Sequence, residues 1–178
     1  MTDLFFQNQG SYTIAIKPDE LSNNITEILR MKLISEIEGI CVNDGYIKKN
    51  SIKVLSKSMG NLLISTFEGD IVYTIKYSAL ICNPPINSII MAKVKSINKM
   101  GIIAEASQDD ETPLNILLAV QHHIDRTVSE QGTSEKINED FKRLQENDII
   151  YVKIAGKRFE YGDTQISTPA LKSPPVAS

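Results

Sequence analysis

Few side chains in this sequence are of types that do covalent or metal chemistry, and they are scattered. Cys41 and Cys82 form a lone pair without metal-type spacing, expected to be free, partly buried thiols. His122 and His123 are adjacent; on a strand they point to opposite faces and cannot share one ion, and no third ligand lies near in sequence. Asp109-Asp110-Glu111 is an acidic run expected to stay hydrated and hold no Mg²⁺. There is no glycine-rich phosphate loop, nucleophile elbow or carboxylate pair on ordered elements. The sequence predicts a non-enzyme with no cofactor and no metal. What remains is binding chemistry. Lys93 and Lys95 alternate along one segment, Tyr151 and Lys153 along another, and Lys157, Arg158, Phe159 and Tyr161 cluster just after it. Cations meet phosphates and flat rings stack on bases, so these residues are candidates for contacting single-stranded RNA. The alternative is a solvated lysine face, with the aromatics covering a barrel or a partner.

The elements that must position these residues change character near residue 40. Asn24 to Glu27 reads as a capping box, and Ile25, Ile28, Leu29, Leu33 and Ile37 fall at helical spacing. Met31 and Ile34 widen that stripe and read as core. Gly39 suits a helix C-cap, and Asn43-Asp44-Gly45 is a turn signal. A first strand is expected at 11–16, and three more near 46–55, 61–67 and 70–81. In the last, Ile71, Tyr73, Ile75 and Tyr77 share one face. This is an α+β unit with one helix on an antiparallel sheet. Asn83-Pro84-Pro85 ends it.

Beyond the prolines the pattern is all-β: strands near 89–97, 102–106, 114–124 and 149–154, and a last one ending near Ile166. An acidic loop is expected at 107–113, and a polar excursion or short helix at 126–140. Five short strands with a polar insert predict an OB-type barrel. The expected division is an N-terminal α+β domain over 1–83, an OB-type barrel over 84–168 and a disordered tail over 169–178.

The 178 residues carry a net charge of −3, so no global basic field draws the chain to nucleic acid. Residues 1–85 hold 8 basic against 9 acidic side chains and residues 86–178 hold 11 against 13, so any nucleic-acid contact is a local patch. No apolar run is long enough for a membrane span, and the N-terminus lacks a signal-peptide pattern. A nuclear, cytoplasmic or, for a virus, virion location is expected, without secretion or membrane contact.

Glu38-Gly39-x-Cys41 followed by Gly45-Tyr46-Ile47 resembles the hallmark of the stalk subunit of multisubunit DNA-directed RNA polymerases, the seventh subunit of the eukaryotic nuclear enzyme and the E-type subunit of the archaeal one. Val72 to Ala79 resembles the family's last tip-domain strand, and Asn83-Pro84-Pro85 its hinge. Val94 to Ile102 resembles the first barrel hairpin, and Val152 to Phe159 a segment near the end. The resemblance covers roughly residues 10–170. It implies a non-catalytic subunit whose tip docks the polymerase core near the clamp of the largest subunits. It also implies a heterodimer with a small helical partner subunit, and a barrel near nascent RNA. Carried over, docking falls on Cys41, Val42, Asn43, Asp44, Gly45 and Tyr46, and on Ser58, Met59, Gly60 and Asn61. The chain departs from the family at Ala92, where glycine is common, and in Ile102 to Ala106, which lacks the stacking phenylalanines. Ser107 to Glu111 replaces an expected Gly-Pro with acid. The length and the Ile/Asn bias suit a large DNA virus. A freestanding OB-fold RNA-binding protein of translation or RNA decay is the alternative, as is an assembly protein whose barrel binds only protein. Solubility alone or only with a helical partner separates these.

Overall fold

The computed structural model describes residues 3–64, 69–99, 101–119, 124–129, 132–137 and 143–173, the two segments within 124–137 by backbone alone. The chain divides into two compact units, Phe5–Asn83 and Pro84–Ser178 together with Met1–Leu4.

In the first unit, β1 (Phe6–Ile16), α1 (Ile25–Ile37), β2 (Cys41–Val42), β3 (Gly45–Ile47), β4 (Lys53–Lys57), β5 (Asn61–Leu62) and β6 (Ile71–Cys82) follow in order. The sheet is antiparallel throughout, and β1, β3, β4 and β5 all pair with β6. The helix forms where its apolar stripe predicts. Leu29, Leu33 and Ile37, at four-residue spacing, are buried against Ile14, Ile16, Ile75 and Tyr77 of the sheet. Burying each such side chain contributes about 1.5–3 kcal/mol, which outweighs the weak propensity of the isoleucines. Gly39, at φ +75°, follows the helix in the left-handed conformation, and its N–H donates to the Ile47 carbonyl at 3.0 Å. Asn43 and Asp44 make the two-residue turn of the β2–β3 hairpin, with Val42 opposite Gly45.

Several local expectations are corrected. Asn24 is the N-cap residue, but its side chain makes no cap hydrogen bond; Glu27 turns instead to Arg30, 3.0 Å away. Met31 is 63% exposed and lies off the core stripe. The first strand starts at Phe6, five residues early, because β6 is long enough to pair with all of it. The expected strand over 46–55 is two strands split by a loop at 48–52.

In the second unit, β7 (Ile89–Asn98), β8 (Gly101–Gln108), β9 (Glu111–Ala119), β12 (Ile149–Ile154) and β13 (Ile166–Ser173) close a barrel in the order β12-β13-β9-β8-β7. All pairings are antiparallel except β13 with β9. The interior alternates with the exterior along each strand: Ile90, Ala92 and Val94 face in, as do Ile150, Val152 and Ile154. The α+β unit followed by a closed five-stranded barrel is the architecture that the pattern predicted.

The barrel's connections differ from expectation. The acidic loop is a tight hairpin: Asp109 and Asp110, at φ 53° and 63°, form a two-residue turn between Gln108 and Glu111. Residues 126–140 hold no helix among those described. Instead β10 (Ile124–Ser129) and β11 (Gly132–Ile137) form a separate antiparallel hairpin. Ile166 begins the last strand, and Pro169 to Ser173 belong to it, not to a tail. Small residues and a proline hide its alternation: Ile166, Thr168 and Ala170 face inward while Ser167, Pro169 and Leu171 face out. Pro169 donates nothing to the ladder, but its carbonyl accepts from Ala155 and Gly156 at 2.9 and 3.2 Å.

Candidate docking and nucleic-acid surfaces

On the first unit, the docking residues inferred from sequence separate by exposure. Cys41, Val42, Gly45 and Tyr46 are buried, so their side chains build the hairpin and do not present a surface; Asn43 and Asp44 are exposed at its tip. Asn83 Nδ2 donates to the Asp44 carbonyl at 2.7 Å and ties that tip to the end of β6. Tyr46 sits between the strands carrying Cys41 and Cys82 and lies 6.5 Å, centroid to centroid, from Phe5. Both cysteines are free thiols, and burial, reinforced by the nearby Cys41, pushes Cys82 up to about 12. It is an inert packing group at neutral pH.

The turn at 58–61 is built differently. Ser58 latches it to β6 in both directions: its N–H donates to the Thr74 carbonyl at 2.8 Å, and its Oγ accepts from the Thr74 N–H at 2.9 Å. Gly60 packs so closely over Ile71 and Tyr73 that a Cβ would lie 2.5 Å from the Ile71 side chain. The turn therefore throws Met59 outward, and it is 89% exposed. Leu62 and Ile64 are also exposed, at 62% and 75%. Leu55 is the extra residue of a bulge in β4, between Val54 opposite Tyr77 and Ser56 opposite Lys76, and it too is turned to solvent. Four large apolar side chains are thus exposed along 55–64, Leu55 beside the Tyr77 end of β6 and Leu62 opposite Ile71. Sequence reading found Met59 and missed Leu55, Leu62 and Ile64; the available signal was a run of apolar residues with no alternation to bury it.

On the barrel, register puts Lys93 opposite Ile149, Met91 opposite Tyr151, and Ile89 opposite Lys153. Lys93 therefore shares one outer face with Tyr151 and Lys153, the pair whose spacing already put them together. Exposed Met91, Ile149 and Leu171 lie among them, and sequence reading missed those three. Their signal was parity: each stands one residue from an inward-facing neighbour. Lys95 is displaced by a bulge in β7 and ion-paired to Glu105, which competes with any phosphate contact it could make. Lys157, Arg158 and Phe159 form a second cluster. Arg158 bridges to Ser167 near the start of β13, whereas Tyr151 pairs with Ser173 at its end. Six residues of strand span about 20 Å, so the two groups do not meet on one short ligand segment. Lys157 and Arg158 are exposed and Phe159 is half-buried. Arg158 also lies 3.7 Å from Glu160.

Among the described residues there is no group of three or more His, Cys, Asp or Glu placed to hold a metal. His122 and His123 lie outside the described residues. No helix of the described residues is long and apolar enough to cross a membrane.

No model of a protein family matches the chain. It is 29% identical over 150 residues to DNA-directed RNA polymerase II subunit rpb7 of Dictyostelium discoideum, covering 80% of this chain and 85% of that one. A protein of Acanthamoeba polyphaga mimivirus, named provisionally as DNA-directed RNA polymerase subunit L376, is 22% identical over 169 residues, or 94% of this chain and 81% of that one. The RNA polymerase II subunit RPB7 of Glycine max is 24% identical over 163 residues, 88% of this chain and 86% of its own length. These similarities cover 80–94% of the chain, so each reaches into both structural units. Similarity at 22–29% identity over most of the chain to proteins named as RNA polymerase subunits supports an Rpb7-like stalk subunit.

Proposed function

We propose that this protein is the non-catalytic stalk subunit of a multisubunit DNA-directed RNA polymerase, docking the core enzyme through the turn at 58–61 and its apolar surroundings. The observation that carries the docking assignment is Met59, 89% exposed on the turn that the Ser58 latch and the close-packed Gly60 hold to β6, with exposed Leu62 and Ile64 just after it. Large apolar side chains gathered at one edge are characteristic of a surface that is covered in the assembled state. Asn43 and Asp44 extend that docking region, with Cys41, Val42, Gly45 and Tyr46 as its support. The clamp region of the largest subunits is the target, and a small helical subunit completes a heterodimer. The relatives favour this reading over a freestanding RNA-binding protein. The viral relative supports a large DNA virus as the source, with transcription in the nucleus, cytoplasm or virion accordingly.

Affinity purification of the tagged chain from its native cells tests the assignment. Wild type should recover the large polymerase subunits and a small helical partner. The double variant Met59→Asp, Leu62→Asp should recover the partner but at least about tenfold less of the large subunits, since it buries two unpaired charges. Undiminished recovery would move docking elsewhere.

The barrel's part is contact with nascent single-stranded RNA through Lys93, Tyr151 and Lys153, with Lys95, Lys157, Arg158 and Phe159 more peripheral. Its support is the shared outer face of the first three residues. In a titration of labelled RNA at several salt concentrations, Lys93→Ala with Lys153→Ala should flatten the plot of log K against log salt by about 1.4, at about 0.7 per lost contact. Tyr151→Ala should cut affinity by roughly 1–3 kcal/mol and leave that slope nearly unchanged. No binding by wild type even at low salt would make this face, with Met91, Ile149 and Leu171, a protein-contact surface.

A further inference from the structure

The first unit carries a second surface feature, separate from the docking turn. Between β3 and β4 the chain leaves the ladder of β6: Ile47 pairs with Ile81 and Lys53 with Ser78, while residues 48–52 loop outward. The loop repairs the ladder with its own groups. The Lys48 N–H donates to the Leu80 carbonyl at 2.9 Å, and the Leu80 N–H donates to Ser51 Oγ at 3.2 Å. Ser51 Oγ in turn donates to the Lys48 carbonyl at 2.6 Å. The gap left over is a hollow of about 320 Å³, walled by Lys48, Lys49, Lys53, Gln7, Asn50 and Ser51 and floored by Ser78, Ala79 and Leu80.

Its chemistry is one-sided. Residues 5–83 hold eight basic and eight acidic side chains, yet three lysines and no carboxylate line this hollow. Two other cations of the unit are paired elsewhere, Arg30 with Glu27 and Lys32 with Glu20. Lys48 is steadied by the Phe5 ring, 5.0 Å from its Nζ, and Lys49 lies with its aliphatic stem over Gly39. Neither the Lys53 ammonium nor the Asn50 side-chain amide has a hydrogen-bond or ion-pair partner among the described residues. Asn50 holds φ 55°, so the loop presents its amide from a left-handed position that few residues accept.

We propose that this hollow is a docking site for an acidic segment of a partner protein, whose Asp or Glu carboxylates enter between Lys48, Lys49 and Lys53. Converging ammonium and amide donors around a concave floor match carboxylates, and hydrogen bonds to charged groups are the stronger class. The lining has no aromatic side chain on which a base could stack, which disfavours single-stranded RNA.

The test is a titration of the full chain, observed through backbone amide resonances, with a peptide of six glutamates flanked by Gly-Ser. Parallel arms use the glutamine version of the peptide, inorganic phosphate and a ten-nucleotide oligouridine. The glutamate peptide should shift amides at 48–53 and 78–80, and the glutamine peptide should not. Lys53→Glu and Asn50→Asp should each weaken binding roughly tenfold, while Lys76→Glu, on β6 outside the hollow, leaves it unchanged. Asn50→Asp keeps a residue that tolerates positive φ, so it stands if Lys53→Glu disturbs the strand. Shifts scattered over the surface, or equal loss in Lys76→Glu, would overturn the site. Displacement of the peptide from these amides by equimolar oligouridine or phosphate would overturn the choice of partner.

Discussion

Gly45→Ala is expected to destabilise the Phe5–Asn83 unit by about 2–5 kcal/mol, combining backbone strain with overpacking. Gly45 adopts φ +129°, and a Cβ there would lie 2.5 Å from the Cys82 carbonyl oxygen and 2.8 Å from the Asn83 Cβ. Neither neighbour has room to yield. The carbonyl is backbone of β6, where Cys82 pairs with Tyr46, and Asn83 is held by its bond to Asp44. Such a loss is a large fraction of the roughly 5–15 kcal/mol that domains possess. Gly162→Ala is the control, because Gly162 also has positive φ, +92°, but nothing lies within 4 Å of its absent Cβ. It should cost only about 1 kcal/mol. Urea unfolding of both variants checks the pair. Equal losses would show that strain alone matters and that the close approach at Gly45 does not. The glycine that marks the family's hallmark is thus predicted to act first on the fold.

Leu33→Ala should cost about 2–5 kcal/mol, again confined to the first unit. Leu33 is fully buried at the centre of the helix stripe, with Leu29 and Ile37 one turn away on either side. Alanine keeps the helix propensity, so the loss reports packing against the sheet and not helix formation. Barrel resonances should be unchanged while the unit's unfolding midpoint falls. A loss below about 1 kcal/mol would mean that the helix settles into the vacated space.

Legibility in the sequence followed how local each signal was. The helix from Ile25 to Ile37, the Gly39 stop and the Asn43-Asp44 turn are written in neighbouring residues, and all are present. The burial parity of Ile75 and Tyr77 against Thr74 and Lys76 is equally local. What failed depends on partners distant in the chain. Phe6 to Gly10 reads as polar filler, yet β6 recruits it into the sheet. Pro169 reads as a strand breaker, yet its strand needs only its carbonyl there. The bulges that re-aim Leu55 and Lys95 leave no mark in the alternation, because an extra residue shows only against the opposite strand. At the candidate sites, spacing placed Tyr151 with Lys153 but could not reveal that β7 brings Lys93 onto the same face, or that Glu105 lies beside Lys95. It also could not show the hollow under Lys53, which requires two strands to part.

Every other strand paired to β6 precedes it in the chain, and this sets an order of events during synthesis. Partners on β1 and β6 are separated by 55 residues at Ile16 and Ile71, widening to 75 at Phe6 and Ile81. Until residues 71–82 have left the ribosome, β1, β3, β4 and β5 have no strand to zip onto. Such non-local closure is slow and leaves strand edges open meanwhile. A nascent chain halted before Ile71 should therefore be a chaperone substrate, while one extended past Cys82 gains nearly the whole sheet in a single cooperative step.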